Sequence, residues 1–549
     1  MLYSIGALRP FVTASLCLIA LVLCTSLYLF HDEAAYHSTT RAQLVTMTEG
    51  YFESPEKVLD PPDISDVETK ITFEVPPVGP GAKTGGYKED GKGEKKNKDD
   101  KNVGYGNKGG LDYKSGWSKL AESGCPQSWE HLAKVGLKHE LTESVLYARS
   151  CIQPIFSSEA DPSEVANMTD PIFENAVELD LTKCSNVKVP ECTPVKLEVP
   201  KPYPQETFAE FVFGVATSSE RLRDSIAGFA HWLSGSRATL VAAVIDSADR
   251  SKEEMKELEA EMRAAGIDAH IVGSHSQDYI AHFAVLEDMI DYSGPETKWF
   301  GLLDDDTFYP SLKPLSDALA QLDHTTDVYA GTLSEDWDQV RIWGYMAYGG
   351  AGAFLSAPLA NKLADHLYDC IAGSSAQQGD ILIRECVYTR SKAKLTVVPR
   401  LYQVDFADDV SGFFEAGLRP LNLHHWKTWF DAPVVEMAQA ADFCGDCFLQ
   451  RWRFGNDTVL TNGYSIAIYR DGLKAVDLDT VEGTWHKYTH DFDWSIGPLR
   501  RPLSREEKQS FRLLEAEITP QGDLRQIYVW KGNNSIGELD EVVEMIWKR

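Results

Sequence analysis

Basic charge is in short supply in this chain. Its 53 Lys and Arg residues face 83 Asp and Glu, a formal net charge of −30 over 549 residues. Nucleic acids bind through phosphates that attract basic surfaces, so the balance argues against a nucleic-acid partner. Cysteine is scarce as well, ten residues in all. Cys444 and Cys447 form a Cys-x-x-Cys pair. No second pair stands nearby to complete a zinc site, and no thioredoxin-like unit surrounds it, which leaves a disulfide as the default. Further clusters of His and Asp ligands of the kind a metal-dependent hydrolase uses are also missing. The hydrophobic fraction of 43% and aromatic fraction of 11% are those of a globular protein, long enough for two to four domains.

One long uncharged run is present, Phe11 to Phe30, "FVTASLCLIALVLCTSLYLF". At roughly 1.5 Å per residue it matches the roughly 30 Å hydrocarbon core of a bilayer. Arg9 precedes it and Asp32 and Glu33 follow, which places the short N-terminus in the cytosol. The alternative, a cleaved signal peptide, has a shorter apolar core and a small-residue cleavage site. The reading is therefore a cytoplasmic tail over 1–10, a transmembrane signal anchor over 11–30 and a head across the membrane. Eight cysteines outside the span (Cys125, Cys151, Cys184, Cys192, Cys370, Cys386, Cys444, Cys447) then face an oxidising lumen suited to disulfides. Sequons at Asn167, Asn456 and Asn533 suit the same route.

Residues 31–120 are poor in periodic apolar positions, and 80–110 are mostly Gly, Lys and Asp. Such a segment has too little to bury to offset its ordering entropy, and a disordered stem is expected. Residues 121–204 carry four cysteines and several prolines, and an irregular, disulfide-stapled collar is expected there.

From 205 the texture changes to alternating strands and helices. "FAEFVFGVATS", "ATLVAAVID", "DAHIVGS" and "KWFGLLDDD" have the apolar runs of buried strands. Between them lie helical spacings: Leu222, Ile226, Phe229 and Leu233, with Ser218 or Ser219 as N-cap; the charged "SKEEMKELEAEMRAAG"; and "SQDYIAHFAVLEDMIDYS". This β-α-β-α-β-α-β order predicts an α/β fold with a parallel sheet covered on both faces, and ligands in such sheets bind beyond the strand carboxyl ends.

The fourth strand ends in Asp304, Asp305 and Asp306. Carboxylates aimed into a crevice suit Mn²⁺ or Mg²⁺ that shares phosphate oxygens; a solvated acidic turn is the plain alternative. Downstream, "WGYMAYGGAGAFLS" sets Gly349, Gly350 and Gly352 behind Trp343, Tyr345 and Tyr348. "QQGDILIREC" presents Asp380, whose plain role is to cap a helix. "LNLHHWKTW" presents His424 and His425, either metal-binding or surface imidazoles.

The order "WFGLLDDDTF", "GYMAYGGAGAFLS", "GDILIREC", "LHHW" resembles the fringe-like glycosyltransferase family 31, over about 205–430. The resemblance implies a GT-A (Rossmann-like) glycosyltransferase domain, a UDP-sugar donor, Mn²⁺ (or Mg²⁺) and inversion at the anomeric carbon, with a β-1,3 linkage to a glycan or glycoprotein hydroxyl. It implies Asp306 as metal ligand together with His424 or His425. Asp304 and Asp305 would meet the donor nucleotide, and Gly349, Gly350 and Gly352 would line the cleft. Asp380 would be the catalytic base, because Cys386 stands six residues after it as in the family pattern. Two positions depart from that pattern: Gly379 replaces an acid and Arg384 replaces a glycine. Trp343, Tyr345, Trp426 and Trp429 are candidates to stack on sugars or to pack in the rim. A bridge between Cys370 and Cys386 would brace Asp380. The implied setting is the Golgi membrane, single-pass type II with a lumenal head, and a homodimer is compatible with it. A catalytically inactive, sugar-binding or scaffold relative is the alternative the two departures keep open. Residues 431–549 are rich in β-formers, and a small β-rich C-terminal region is expected.

Overall fold

The computed structural model describes residues 127–549 apart from 174–175, 183–191, 275, 277 and 487–489. The tail, anchor and stem expected over 1–120 lie outside the described residues, as do Cys125 and Cys184. All described residues belong to one compact unit, Leu111–Arg549. No helix among them is long and apolar enough to cross a membrane.

The chain enters through α1 (Gln127–Lys138) and four strands, β1 (Ser144–Phe156), β2 (Ala166–Met168), β3 (Val177–Asp180) and β4 (Pro194–Val199). The expectation of an irregular collar is corrected here. β1 runs 13 residues, buries Val145, Tyr147 and Ile152, and pairs with both β3 and β4.

The α/β portion follows in the anticipated order: β5 (Phe211–Thr217), α2 (Ser219–Leu233), β6 (Thr239–Val244), α3 (Lys252–Ala264), β7 (Asp268–Gly273), α4 (Asp278–Asp291) and β8 (Trp299–Leu303). Local chemistry sets the helix starts. Ser218 accepts from the Arg221 N–H to cap α2, and Ser251 and Glu254 form a reciprocal capping box on α3. The strands are continuous apolar runs because both faces are covered. On β5, Phe211, Phe213 and Val215 point into one core while Val212 points into the other. β8 divides in the same way, with Trp299 and Leu303 opposite Phe300 and Leu302.

The chain continues through α5 (Leu312–Leu319), β9 (Tyr329–Gly331), α6 (Trp337–Trp343), β10 (Ala353–Ser356), α7 (Ala357–Ala364), α8 (Leu367–Gly373), α9 (Gly379–Arg390), β11 (Leu395–Val397) and α10 (Ser411–Glu415). The sheet order is β11-β9-β10-β8-β5-β6-β7. β5, β6, β7 and β8 are mutually parallel, and β10 is antiparallel to β8. Strand order reverses between β5 and β8, the place where open α/β sheets leave a crevice at their carboxyl edge.

After α11 (Val434–Cys444) come β12 (Arg451–Phe454), β13 (Thr458–Thr461), β14 (Ser465–Tyr469), β15 (Val481–Glu482), α12 (Asp493–Ile496), β16 (Leu499–Arg500), β17 (Lys508–Ile518), β18 (Leu524–Trp530) and β19 (Asp540–Trp547). The expectation of strands holds, but not that of a separate small region. β19 pairs in parallel with β1, from Val145 opposite Asp540 to Ile152 opposite Trp547. The collar and the C-terminal strands thus form one sheet, ordered β2-β12-β13-β14-β17-β18-β19-β1-β3 with β4 on β1. The large core joins it to the α/β portion: Phe229 and Leu233 of α2, Met437 and Ala441 of α11, and Phe511 of β17 belong to one buried cluster.

Candidate active site

The site begins at the carboxyl end of β8. Thr307 closes a turn onto the Asp304 carbonyl, and Phe308 exchanges two backbone hydrogen bonds with Leu423 (2.8 and 2.7 Å). That isolated antiparallel bridge docks the acidic triplet beside His424. Phe308, the aromatic two residues after the triplet, is therefore the residue that fastens it.

The triplet divides. Asp305 is paired away from the others. Its carboxylate takes a hydrogen bond from Thr217 Oγ1 and a two-pronged one from Arg221, whose Nε is at 2.6 Å, and Ser225 Oγ holds its carbonyl at 2.8 Å. The side chain expected to meet the donor is thus committed to α2 and β5. Asp304 and Asp306 converge instead on one ring nitrogen: His424 Nε2 lies 3.3 Å from Asp304 Oδ2 and 3.3 Å from Asp306 Oδ1.

His424 is buried, and its Nδ1 meets the Gln403 carbonyl at 2.8 Å. A carbonyl only accepts, so Nδ1 carries the proton and Nε2 is the atom offered to the cluster. Burial pushes the imidazole pKa down, but the two carboxylates outweigh it and hold it well above the ordinary value. Burial opposes ionisation of Asp304 and Asp306 too, and His424 overrides it, so both titrate lower than usual. The ring fits because position 350 is glycine: a Cβ on Gly350 would stand 2.1 Å from His424 Cε1. Thr307 Oγ1 fixes the Gly350 carbonyl at 3.0 Å, and the Gln403 side chain accepts from the Ala351 N–H at 2.9 Å. Gly352 takes φ +98°, a conformation reserved for glycine.

His425 sits differently. Its φ is +61°, its Nε2 meets Asp405 Oδ1 at 3.2 Å, and its ring stacks on Trp429 with centroids 4.0 Å apart. Asp405 in turn accepts from Ser334 Oγ and lies beside the buried Glu335, which accepts from the Gln403 and Asp405 N–H groups. One ligand atom each from Asp306, His424 and His425 lies within a 4.8 Å group. Hard carboxylate oxygens with imidazole nitrogen suit Mn²⁺, so the residues fit such an ion.

Asp380 is the second residue of α9 and does not cap it. Its Oδ2 accepts from the Gly349 N–H at 3.0 Å, and its Oδ1 lies 3.3 Å from His282 Nε2. Cys370 and Cys386 form a disulfide joining α8 to α9, as do Cys151 with Cys192 and Cys444 with Cys447 elsewhere. Arg384 ties two helices together, since its Nη1 donates to the Trp343 carbonyl at 2.7 Å and holds the end of α6 against α9.

Among the aromatic candidates, Trp426 packs edge-on to Phe308 with Lys427 over its face, and Trp343 donates to Gln339. Tyr345 and Trp429 are the exposed ones. Asn167, Asn456 and Asn533 are all exposed. Sequence reasoning missed His282, Gln403, Asp405 and Glu335. None of them belongs to a motif, and only contacts distant in the chain give each its role.

A family model described as "Protein of unknown function, DUF604" matches residues 339–441, a segment that holds the glycine loop, Asp380 and both histidines. No curated protein matches the chain. Among solved structures, the chain is similar to the galactosyltransferase LgtC in complex with donor and acceptor sugar analogs, at 13% identity and TM-score 0.24 over 34% of this chain and 73% of that one. It is similar to a 4-diphosphocytidyl-2C-methyl-D-erythritol synthase from Anaerococcus prevotii, at 11% identity and TM-score 0.24 over 35% and 87%. A mannosyltransferase from Pyrobaculum calidifontis in complex with GDP-Man and Mn²⁺ matches at 12% identity and TM-score 0.25 over 37% and 59%.

Proposed function

We propose that the chain is a metal-dependent glycosyltransferase that moves a sugar from a UDP-sugar to a glycan or glycoprotein hydroxyl with inversion, forming a β-1,3 linkage. The observation that carries this reading is the convergence of Asp304, Asp306 and His424 at the carboxyl end of β8, beside the strand-order reversal, with the carboxylate of Asp380 held on a neighbouring helix. Asp306 and His424 would hold a divalent ion, with His425 at its edge. That ion, when bound, offsets the charge that grows on a leaving diphosphate.

The chain's own residues do the rest. Asp304, the more exposed of the two clustered acids, faces the nucleotide beside Gly349 and Gly350. Asp380 takes the proton of the acceptor hydroxyl as it attacks from the sugar face opposite the leaving group. Fixing its carboxylate to the Gly349 N–H limits the orientations lost on reaching the transition state. Exposed Tyr345 and Trp429 offer apolar faces to a sugar ring.

The proposed setting of the head is the secretory lumen, as part of a type II Golgi protein. Three disulfides and three exposed sequons support that setting. The deciding measurement is UDP release by the lumenal head from a panel of UDP-galactose, UDP-N-acetylglucosamine and UDP-glucose, with Mn²⁺ and again with EDTA. Release that stops with EDTA, and drops by about 100-fold or more in Asp380→Asn with donor KM kept, is expected. No release from any donor would favour an inactive sugar-binding relative.

A further inference from the structure

His282 belongs to no motif and sits in the second turn of α4, yet its ring lies between two of the site's acids. Nε2 is 3.3 Å from Asp380 Oδ1 and Nδ1 is 3.9 Å from Asp304 Oδ1, with the side chain 11% exposed. The buried Nε2 makes no hydrogen bond among the described residues, so it meets Asp380 at ion-pair distance only. The backbone across from it is cut to its shape. A Cβ on Gly379 would stand 2.6 Å from His282 Cδ2 and 2.8 Å from its Cβ, and one on Gly349 would stand 3.1 Å from Nε2. Both glycines neighbour the groups that hold Asp380: Gly379 precedes it, and Gly349 donates to it.

We propose that His282 is the positioning residue for Asp380, and that glycine at 379 is the space its ring requires. The proposal rests on the reading of Asp380 as the base for glycosyl transfer. With Oδ2 tied to the Gly349 N–H and Oδ1 beside the His282 ring, the carboxylate is held from both sides. The departure from the family pattern at 379 is then a change of partner: an imidazole from α4 stands where a side chain on α9 would have been.

The test is a double-mutant cycle on the lumenal head, measuring UDP release from the best donor of the UDP-galactose, UDP-N-acetylglucosamine and UDP-glucose panel with Mn²⁺. His282→Ala is expected to lower kcat on the order of 10- to 100-fold, with donor KM and the Mn²⁺ activation constant within about twofold. In an Asp380→Asn background the same change is expected to cost nothing further, because His282 acts through Asp380. Gly379→Ala, which pushes the ring aside without removing it, is expected to lower kcat. A wild type that releases no UDP removes the glycosyl-transfer reading and this inference with it. An active wild type matched by an equally active His282→Ala overturns the inference alone. So does a His282→Ala loss that persists undiminished in Asp380→Asn, since that pattern belongs to general structural damage.

Discussion

His424 Nε2 stands 3.3 Å from Oδ1 of Asp306, and the pair is drawn together by the two backbone hydrogen bonds between Phe308 and Leu423. Its partner ring atom is already spent on the Gln403 carbonyl. The neighbouring imidazole, His425, spends Nε2 on Asp405 and its face on Trp429. The two adjacent histidines are therefore unequal, and the difference is measurable.

His424→Ala is expected to abolish Mn²⁺ binding to the purified head, read by calorimetric titration, as Asp306→Ala should. His425→Ala is expected to weaken it by about 10- to 100-fold without abolishing it, the scale of a lost outer contact. Equal loss in the two histidine variants would show that both ligate directly.

Metal affinity should rise with pH. The carboxylates keep the metal-free His424 protonated above its ordinary pKa of 6.5, and only the neutral imidazole can ligate. Binding thus releases a proton wherever the pH lies below the raised value, and affinity should climb by up to about tenfold per pH unit. Titrations at pH 6, 7 and 8 in buffers of different ionisation enthalpy would report the proton directly. In His424→Ala the release is expected to vanish.

Folding stability should fall across neutral pH because of Glu335. Burial, and next the Asp405 carboxylate beside it, push its pKa from 4.5 up to about 8. Below pH 4.5 the group is protonated in folded and unfolded chains alike, and its contribution is fully present. As pH rises towards 8, the unfolded chain releases the proton and the folded one keeps it, so stability is lost over that window. Thermal melts of the metal-free head between pH 5 and 9 should show the decline, and Asp405→Asn should lessen it while burial keeps part of it. A wild-type melt that is level over that range would contradict the assignment.

The two halves of the structure are tied by a buried charge cluster. Lys508 of β17 reaches Glu415 of α10 at 3.0 Å and Glu482 of β15 at 2.8 Å. Lys508→Met leaves Glu415 buried without its paired lysine and Glu482 with Arg500 alone, and is expected to destabilise by about 3–5 kcal/mol in denaturant unfolding. Activity at low temperature should persist, since the cluster touches none of the site acids.

Much of the α/β portion is legible in the sequence because its information is local. The apolar runs of β5, β6 and β8, the helical spacings between them and the candidate cap Ser218 act within a few residues, and they predict strand, helix and order correctly. The disulfide between Cys370 and Cys386 is also foreseeable, from its position around Asp380. The pairing of β1 with β19 is not, because hydrophobic alternation says that a strand has a buried face and never names the neighbour at its edge.

The sequence by itself determined that three carboxylates end a buried strand, that a glycine-rich loop and Asp380 follow, and that two histidines come after. Those are matters of residue type and short-range periodicity. Only the tertiary structure decided their division of labour. It turned Asp305 onto Arg221 and Thr217, aimed Asp304 and Asp306 at His424, gave His425 to Asp405, and set His282 against Asp380 over Gly379. Each of those choices is a contact between side chains far apart in the chain. It depends on distances of a few ångströms that no local pattern of residues carries.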